Sequence, residues 1–337
     1  MASKPVKTLD IKPADDGEQI KPAELIDVHL PTSLTRQDRV RWNLLLAHAW
    51  DRLDDPQADH TIPTSELKLG GHYGTDRISD SLVRLMQAVI TVQATGAKGQ
   101  PVTRMSQLLG GCDIEDEDRP AGQITYGFDK RLIWIIKYST AWGKLRKEIL
   151  FSLSSKYAIA LYETAEKRVR LKYKKSEEFD LKEFRGLLGV PLGKLPRWAN
   201  LHQRAIKPAV DEINQLCDFQ IGVEPIKHGR TVVAVRLSWA TKDDEADDAA
   251  RRERGRAKTG RKARREGTVE HIAETPPAPP QAQSRATAWW ESLPFKQRGP
   301  LRHKLDPKDR LERSQLIESA WHDQGQPDPP DLKSKKS

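Results

Sequence analysis

Residues 180–216 read DLKEFRGLLGVPLGKLPRWANLHQRAIKPAVDEINQL, and the order of features along them decides the fold. Asp180 can cap a short helix whose apolar side is Phe184, Leu187 and Leu188. Gly189 ends that helix, and a turn from Pro191 to Pro196 leads into a long helix from Arg197 to about Leu216. Beyond it, 219–226 and 231–239 alternate as strands, joined by the hairpin tip Lys227-His228-Gly229-Arg230. Upstream, 149–168 reads as one strong helix with Tyr157, Ile159, Ala160, Leu161 and Tyr162 on its buried side. Helix, short helix, turn, long helix and hairpin is the plan of a winged helix-turn-helix domain.

The same plan recurs nearer the N-terminus. Ser33 or Thr35 can cap a helix that ends near Leu53, and Trp42, Leu44, Leu45, Leu46 and Trp50 give it a broad apolar face. A short helix begins at Pro63 and stops at Gly70-Gly71. Thr75 caps a third, with Ile78, Leu82, Leu85, Met86 and Val89 at helical spacing. Strands are expected at 89–93 and 102–109, around a turn at Gly96–Gly99, and again at 124–128. The acidic run 113–118 reads as a solvated loop without converging metal ligands. The fold class expected is therefore α+β, with two tandem winged helix-turn-helix domains, a disordered N-terminal leader and a basic C-terminal tail.

Charge sharpens the division. The chain has 337 residues and a net charge of +9, from 57 Lys+Arg against 48 Asp+Glu. That length suggests about two domains plus extras. Residues 1–24 (net −1) are polar and Pro-containing and read as the disordered leader. Residues 25–143 (net −2) form the first winged-helix domain, for dimerisation or accessory DNA contact. Residues 144–241 (net +8) form the second, the principal DNA reader. Residues 242–282 are a charged and Pro-rich linker in which 242–250 (net −4) precede 251–266 (net +7) and Pro276, Pro277, Pro279 and Pro280 follow. The basic run suits either a solvated tail or a nonspecific arm on DNA. Residues 283–337 are a partly helical tail, where Trp289, Trp290, Leu293, Ile317 and Trp321 suit either docking helices or a minor subdomain. Cys112 and Cys217 are the two cysteines, which excludes a disulfide framework and fits a reducing cytoplasm. No apolar run reaches the ~18 residues of a membrane span, and Met1-Ala2-Ser3-Lys4-Pro5 has no signal core. A cytoplasmic protein without membrane contact is expected.

Candidate binding residues follow from the long helix. Trp198, Leu201, Ala205, Ala209, Ile213 and Leu216 point one way, while Arg197, Asn200, Arg204 and Lys207 form a stripe on another face with Gln203 beside it. Arg reads guanine and Asn or Gln reads adenine because those planar groups bond bidentately to base edges in the major groove. No acid interrupts the stripe before Asp211. Lys194 in the preceding turn joins the set, and Lys227, His228 and Arg230 of the hairpin tip can touch phosphates or the minor groove. Lys172, Lys174 and Lys175 suit either phosphate contacts or a solvated connector. In the first half, Arg77, Ser79, Ser81 and Arg84 are candidates for contact with a neighbouring DNA segment or for pairing of two copies. Inside a helix Pro208 removes a backbone bond, so the helix is expected to bend there or to set its first turns apart.

No positive case for an enzyme arises, and neither catalytic residues, a cofactor nor a metal site is expected. The loop 189–195 has three residues between its glycines and Leu195 where a phosphate loop needs Ser or Thr. A rolling-circle nickase needs paired metal-binding histidines, and the nine histidines include no His-x-His pair. A Gly-x-Ser-x-Gly elbow is missing too.

The chain resembles the iteron-binding family of plasmid replication initiators (the Rep_3 type) over residues 25–241. The likeness is carried by Ser154-Ser155-Lys156-Tyr157-Ala158-Ile159-Ala160-Leu161-Tyr162-Glu163, by Phe184-Arg185-Gly186-Leu187-Leu188-Gly189-Val190, and by the stretch from Ile206-Lys207-Pro208-Ala209 through Asp211-Glu212-Ile213-Asn214 to Gly229-Arg230. Leu25-Ile26-Asp27-Val28-His29 resembles the family's start. The first half matches mainly in layout, and the tail beyond 241 is not covered. The resemblance implies sequence-specific binding of direct repeats (iterons) in double-stranded DNA at a plasmid origin, and monomers active there in equilibrium with a homodimer that autoregulates. Contacts with the host initiator ATPase and the replicative helicase are implied as well. A winged-helix transcriptional repressor without initiator activity has the same fold and remains the alternative.

Overall fold

The structure, a computed structural model, describes residues 6–27, 34–55, 58–69, 77–95, 100–115, 122–171, 173–267, 286–287, 289–290, 292–305 and 313–325. The chain divides into two compact units, Met1–Arg261 and Lys262–Ser337. Ser33, Thr75, the turn at 96–99, residues 116–118 of the acidic run, Lys172 and the Pro-rich stretch 276–280 lie outside the described residues.

The first unit is built on two apolar cores. Elements of the first half are α1 (Ala23–Ile26), α2 (Arg36–Ala49), β2 (His60–Pro63), α3 (Thr64–Leu67), α4 (Ile78–Gln87), β3 (Val89–Thr95), β4 (Pro101–Gln107), β5 (Gly111–Ile114), β6 (Gln123–Gly127) and α5 (Lys130–Tyr138). β3 and β4 form an antiparallel pair, and β2, β6 and β5 form a three-stranded sheet in that order. Asp113 and Ile114 thus belong to a strand rather than to the expected loop, because they pair with Thr125 and Ile124 of β6. α2 begins where Thr35 and Asp38 cap each other: the Thr35 hydroxyl accepts the Asp38 N–H at 3.2 Å, and the Asp38 carboxylate accepts the Thr35 N–H at 2.8 Å. Its Trp42, Leu45 and Leu46 enter the first core while Val40 enters the second. α2 therefore lies between two cores, which explains why it is buried around most of its circumference.

The leader expected to be disordered over 1–24 is corrected. β1 (Glu18–Pro22) is wholly buried and pairs antiparallel with β7 (Trp142–Arg146). Its polar letters concealed it, because they are buried in pairs: Lys21 reaches Glu163 at 2.7 Å and lies 4.7 Å from the Trp42 ring, and Gln19 donates to Asn43 at 3.0 Å. Asn43 donates in turn to Glu163 at 2.8 Å, so strand, α2 and second half share one polar cluster.

The second half contains α6 (Lys147–Ser152), α7 (Lys156–Val169), β8 (Ser176–Asp180), α8 (Leu181–Leu187), a long interrupted helix, β9 (Phe219–His228) and β10 (Thr231–Thr241). The helix expected as one piece over 149–168 is broken, because the Ser155 hydroxyl accepts the Ala158 N–H at 3.0 Å and starts a new helix. Asp180 caps α8, accepting the Lys182 N–H at 2.7 Å. The sheet order is β8-β10-β9, so β8 is an added edge strand whose letters gave no alternation beyond Phe179.

The stretch expected as linker over 242–282 is partly structured. Asp243 caps α11 (Asp244–Gly255), accepting the Ala246 N–H at 2.8 Å, with acids in the first turn and arginines in the last, as the helix dipole favours. Basic residues in its last turn and just after it meet protein carbonyls. Arg254 donates to the Leu216 carbonyl at 2.5 Å, Lys258 to that of Phe151 at 2.7 Å and Arg261 to that of Ser152 at 2.9 Å. These acceptors end helices, where carbonyls lack intrahelical partners. In the second unit, helices Phe295–Leu305 and Arg313–Asp323 are joined by the Lys304–Asp323 ion pair at 2.9 Å, and Trp289, Trp290, Leu316, Ile317 and Ala320 form a small core. Among the described residues, no helix is long and apolar enough to cross a membrane.

Candidate nucleic-acid interface

The long helix of the second half has three parts: α9 (Trp198–Leu201), a π-helical turn (His202–Ile206) and α10 (Lys207–Leu216). Pro208 accounts for the interruption. Its nitrogen has no hydrogen to give, and its ring would crowd the carbonyl four residues back, that of Arg204. A wider turn relieves both problems, and π-turns are frequent at functional sites. The wider turn also lets Ala205 and Ile206 both face the core beside Leu201, Ala209, Ile213 and Leu216. Opposite them Arg197, Gln203, Arg204 and Lys207 are exposed and Asn200 is half-buried. The stripe therefore points outward as the spacing implied. Lys207 pairs with Asp211 at 2.8 Å on the exposed surface, where solvent screens the pair.

The turn before this helix is held by side chains and backbone. Leu195 has φ of 49°, the one positive value at a non-glycine among the described residues. Such a conformation costs about 1 kcal/mol or more and persists where surroundings enforce it. Arg185 of α8 does so: one guanidinium nitrogen donates to the Leu195 carbonyl at 2.7 Å and another to the Lys194 carbonyl at 2.5 Å. The Lys194 side chain itself is exposed. Gly189, at φ of 64°, opens the turn, and a Cβ there would stand 2.7 Å from an Arg39 nitrogen of α2. Glycine takes that backbone at least cost and leaves the Arg39 end in place.

The hairpin tip is tight. His228 pairs with Thr231, so Gly229 and Arg230 alone form the loop, and Gly229 has φ of 62°. A positive φ at the first of two loop residues is the geometry that favours glycine in such hairpins. Lys227, His228, Gly229 and Arg230 are all exposed. Pro225 is tolerated because β9 is an edge strand, and a bulge between Val232 and Ala234 adds twist near the tip. The Lys174-Lys175 connector lies elsewhere. Ser176 pairs with Ser238, seven residues along β10 from Thr231, about 23 Å from the tip at 3.3 Å per residue. Lys174 is paired there with Glu177 at 2.9 Å.

The first-half candidates separate. Arg77 is exposed and Ser79 half-buried at the start of α4. Ser81 and Arg84 are corrected, since they serve the protein itself. Ser81 is fully buried and its hydroxyl donates to Asp38 at 2.6 Å. Arg84 donates to both oxygens of the same carboxylate, at 2.9 and 2.8 Å. Burial alone would raise the pKa of Asp38. The bonds from Arg84, Ser81 and Thr35 outweigh it and hold that carboxyl below the usual range. Nothing in the sequence marked Asp38 as a partner of α4, whereas its place three residues after Thr35 did suit a helix start. Arg185 was also missed, because it stands nine and ten residues from the carbonyls it holds. No cluster of three or more potential metal ligands occurs among the described residues.

Two family models match the chain. "Initiator Replication protein, WH1" matches residues 19–166, and "Initiator Rep protein, WH2" matches residues 180–239. Among solved structures, the Pi initiator protein in complex with iteron DNA is similar at 14% identity, covering 68% of this chain and 99% of that one with a TM-score of 0.44. No curated protein matches the chain.

Proposed function

We propose that this chain, which belongs to the initiator replication protein family and carries its two winged-helix domains, starts plasmid replication by binding direct repeats at the origin. The observation that carries the reading is the exposed stripe Arg197, Gln203, Arg204 and Lys207 with half-buried Asn200, on a helix whose other face is core. These residue types read base edges in a major groove, and they sit in the first turns, where a recognition helix meets bases. Lys194 precedes the stripe, and Lys227, His228 and Arg230 on the tip contact the backbone and fix register. Arg77 and Ser79 touch an adjoining DNA segment or a second copy.

Initiation of this kind needs no covalent chemistry from the protein. Binding energy strains an AT-rich duplex, and the bound initiator recruits the host initiator ATPase and the replicative helicase. Monomers act on the repeats while a homodimer represses the protein's own gene, and the protein works in the cytoplasm. The test is binding to DNA from the protein's own locus at stated salt, since affinities for DNA depend steeply on it. Preference for tandem direct repeats beside an AT-rich stretch supports an initiator. Preference for a lone inverted repeat at a promoter means a repressor instead.

A further inference from the structure

We propose that Arg185 is a positioning residue for sequence reading, holding the first turn of the reading helix in register through two main-chain carbonyls. The inference rests on the assignment of the 197–207 stripe as the DNA reader. The side chain starts on α8 and ends on the turn, so it ties together the two helices of the helix-turn-helix. Its guanidinium donates to two consecutive carbonyls, Lys194 at 2.5 Å and Leu195 at 2.7 Å. A planar fork with several fixed donors suits two adjacent acceptors, and an ammonium on a flexible stem does not. Leu195 occupies left-handed backbone space, and its side chain packs on the second core. Two residues later the chain reaches Arg197, the first residue of the stripe.

The turn is thus under opposed demands. Leu195 is kept as an apolar residue by packing, although glycine would suit its backbone better. Without the clamp, the strained residue relaxes toward ordinary backbone values. The helix start at Arg197 and Trp198 shifts with it, while the core face of α10, fixed by Ala209, Ile213 and Leu216, stays. Loss of Arg185 therefore misaligns base-reading groups without unfolding the domain, and it leaves the exposed cations of the tip untouched.

The experiment compares the full-length protein with Arg185→Lys and Arg185→Met. Hydrogen exchange of the DNA-free proteins reads the turn directly. Faster exchange confined to about 189–201 in both variants, with unchanged protection of α7 and α10, is expected. Unchanged exchange over that stretch overturns the proposal whatever the DNA result. On DNA, both variants should lose about tenfold in the ratio of binding to locus DNA over scrambled DNA, the size of one misplaced bidentate contact. Binding to scrambled DNA should stay within about twofold, since phosphate contacts carry it. Equal losses on both DNAs, or a full ratio in Arg185→Lys, overturn it in favour of a simple charge effect. A wild-type protein that does not prefer locus DNA refutes the stripe as reader, and the exchange data then still decide whether Arg185 holds the turn.

Discussion

Replacing Arg84 by Ala separates a structural role for α4 from a DNA-contacting one. Arg84 delivers two charge-assisted bonds, at 2.9 and 2.8 Å, to a carboxylate whose side chain has no exposed surface, while Arg84 itself keeps 30% of its own. Breaking a fully buried pair costs about 3–5 kcal/mol. Here the half-open arginine side admits water, and Asp38 retains Ser81 and the Thr35 N–H, so the loss should be about 2 kcal/mol. In a unit of this size that is a fall of about 4–8 °C in the thermal midpoint. The effect depends on pH with a definite sign. The folded Asp38 carboxyl ionises below its unfolded value, so its contribution is complete above about pH 4 and disappears as pH falls through the lower folded value. Urea titrations of wild type and Arg84→Ala at pH 7 and near pH 3 measure both. Affinity for locus DNA and its salt dependence should be unchanged at a temperature where both proteins are folded. A variant of wild-type stability whose salt slope drops by about one unit refutes the reasoning, because that is the signature of a lost phosphate contact.

Lys227→Ala should weaken binding to all sequences alike and lower the salt slope by about one unit, as a wing on phosphate requires; an unchanged slope removes the tip from the backbone. Arg261→Ala should cost about 1–2 kcal/mol in urea unfolding by taking a donor from the Ser152 carbonyl, with no change in salt slope, whereas the reverse pattern makes this segment a DNA arm after all. Burial raises the Glu166 carboxyl to about 7, outweighing its ion pair with Arg170. The fold then binds a proton that the unfolded chain has released, so stability should fall as pH rises from about 4.5 to 7, and Glu166→Gln should flatten that slope in thermal scans. A slope that survives the substitution assigns it to another group.

What the sequence made legible was whatever local chemistry controls. Asp180 and Thr35 cap the helices they precede because a side-chain oxygen two or three residues from a free N–H needs no distant partner. Gly229 marked a tight hairpin for the same reason, and the outward stripe followed from helical spacing alone. Long-range pairing was not legible. Glu18–Pro22 looked like polar leader because its partners, Asn43 and Glu163, lie 24 residues and more away. Likewise Asp244–Gly255 looked like linker because its charges compose a dipole-matched helix rather than a solvated run. Ser81 and Arg84 had the chemistry of DNA contacts, and a single buried carboxylate on α2 turns both inward. At Pro208 the sequence announced an interruption, and its form, a π-turn over His202–Ile206, was not legible.

The central claim is that the stripe on the interrupted helix reads bases. Binding of wild type and Arg204→Ala to locus repeats and to scrambled DNA of the same length, at one stated salt concentration, tests it most directly. The account predicts a loss of about 1–3 kcal/mol on the repeats, a much smaller loss on scrambled DNA, and relaxed preference at one base position. Equal losses on both DNAs would contradict it.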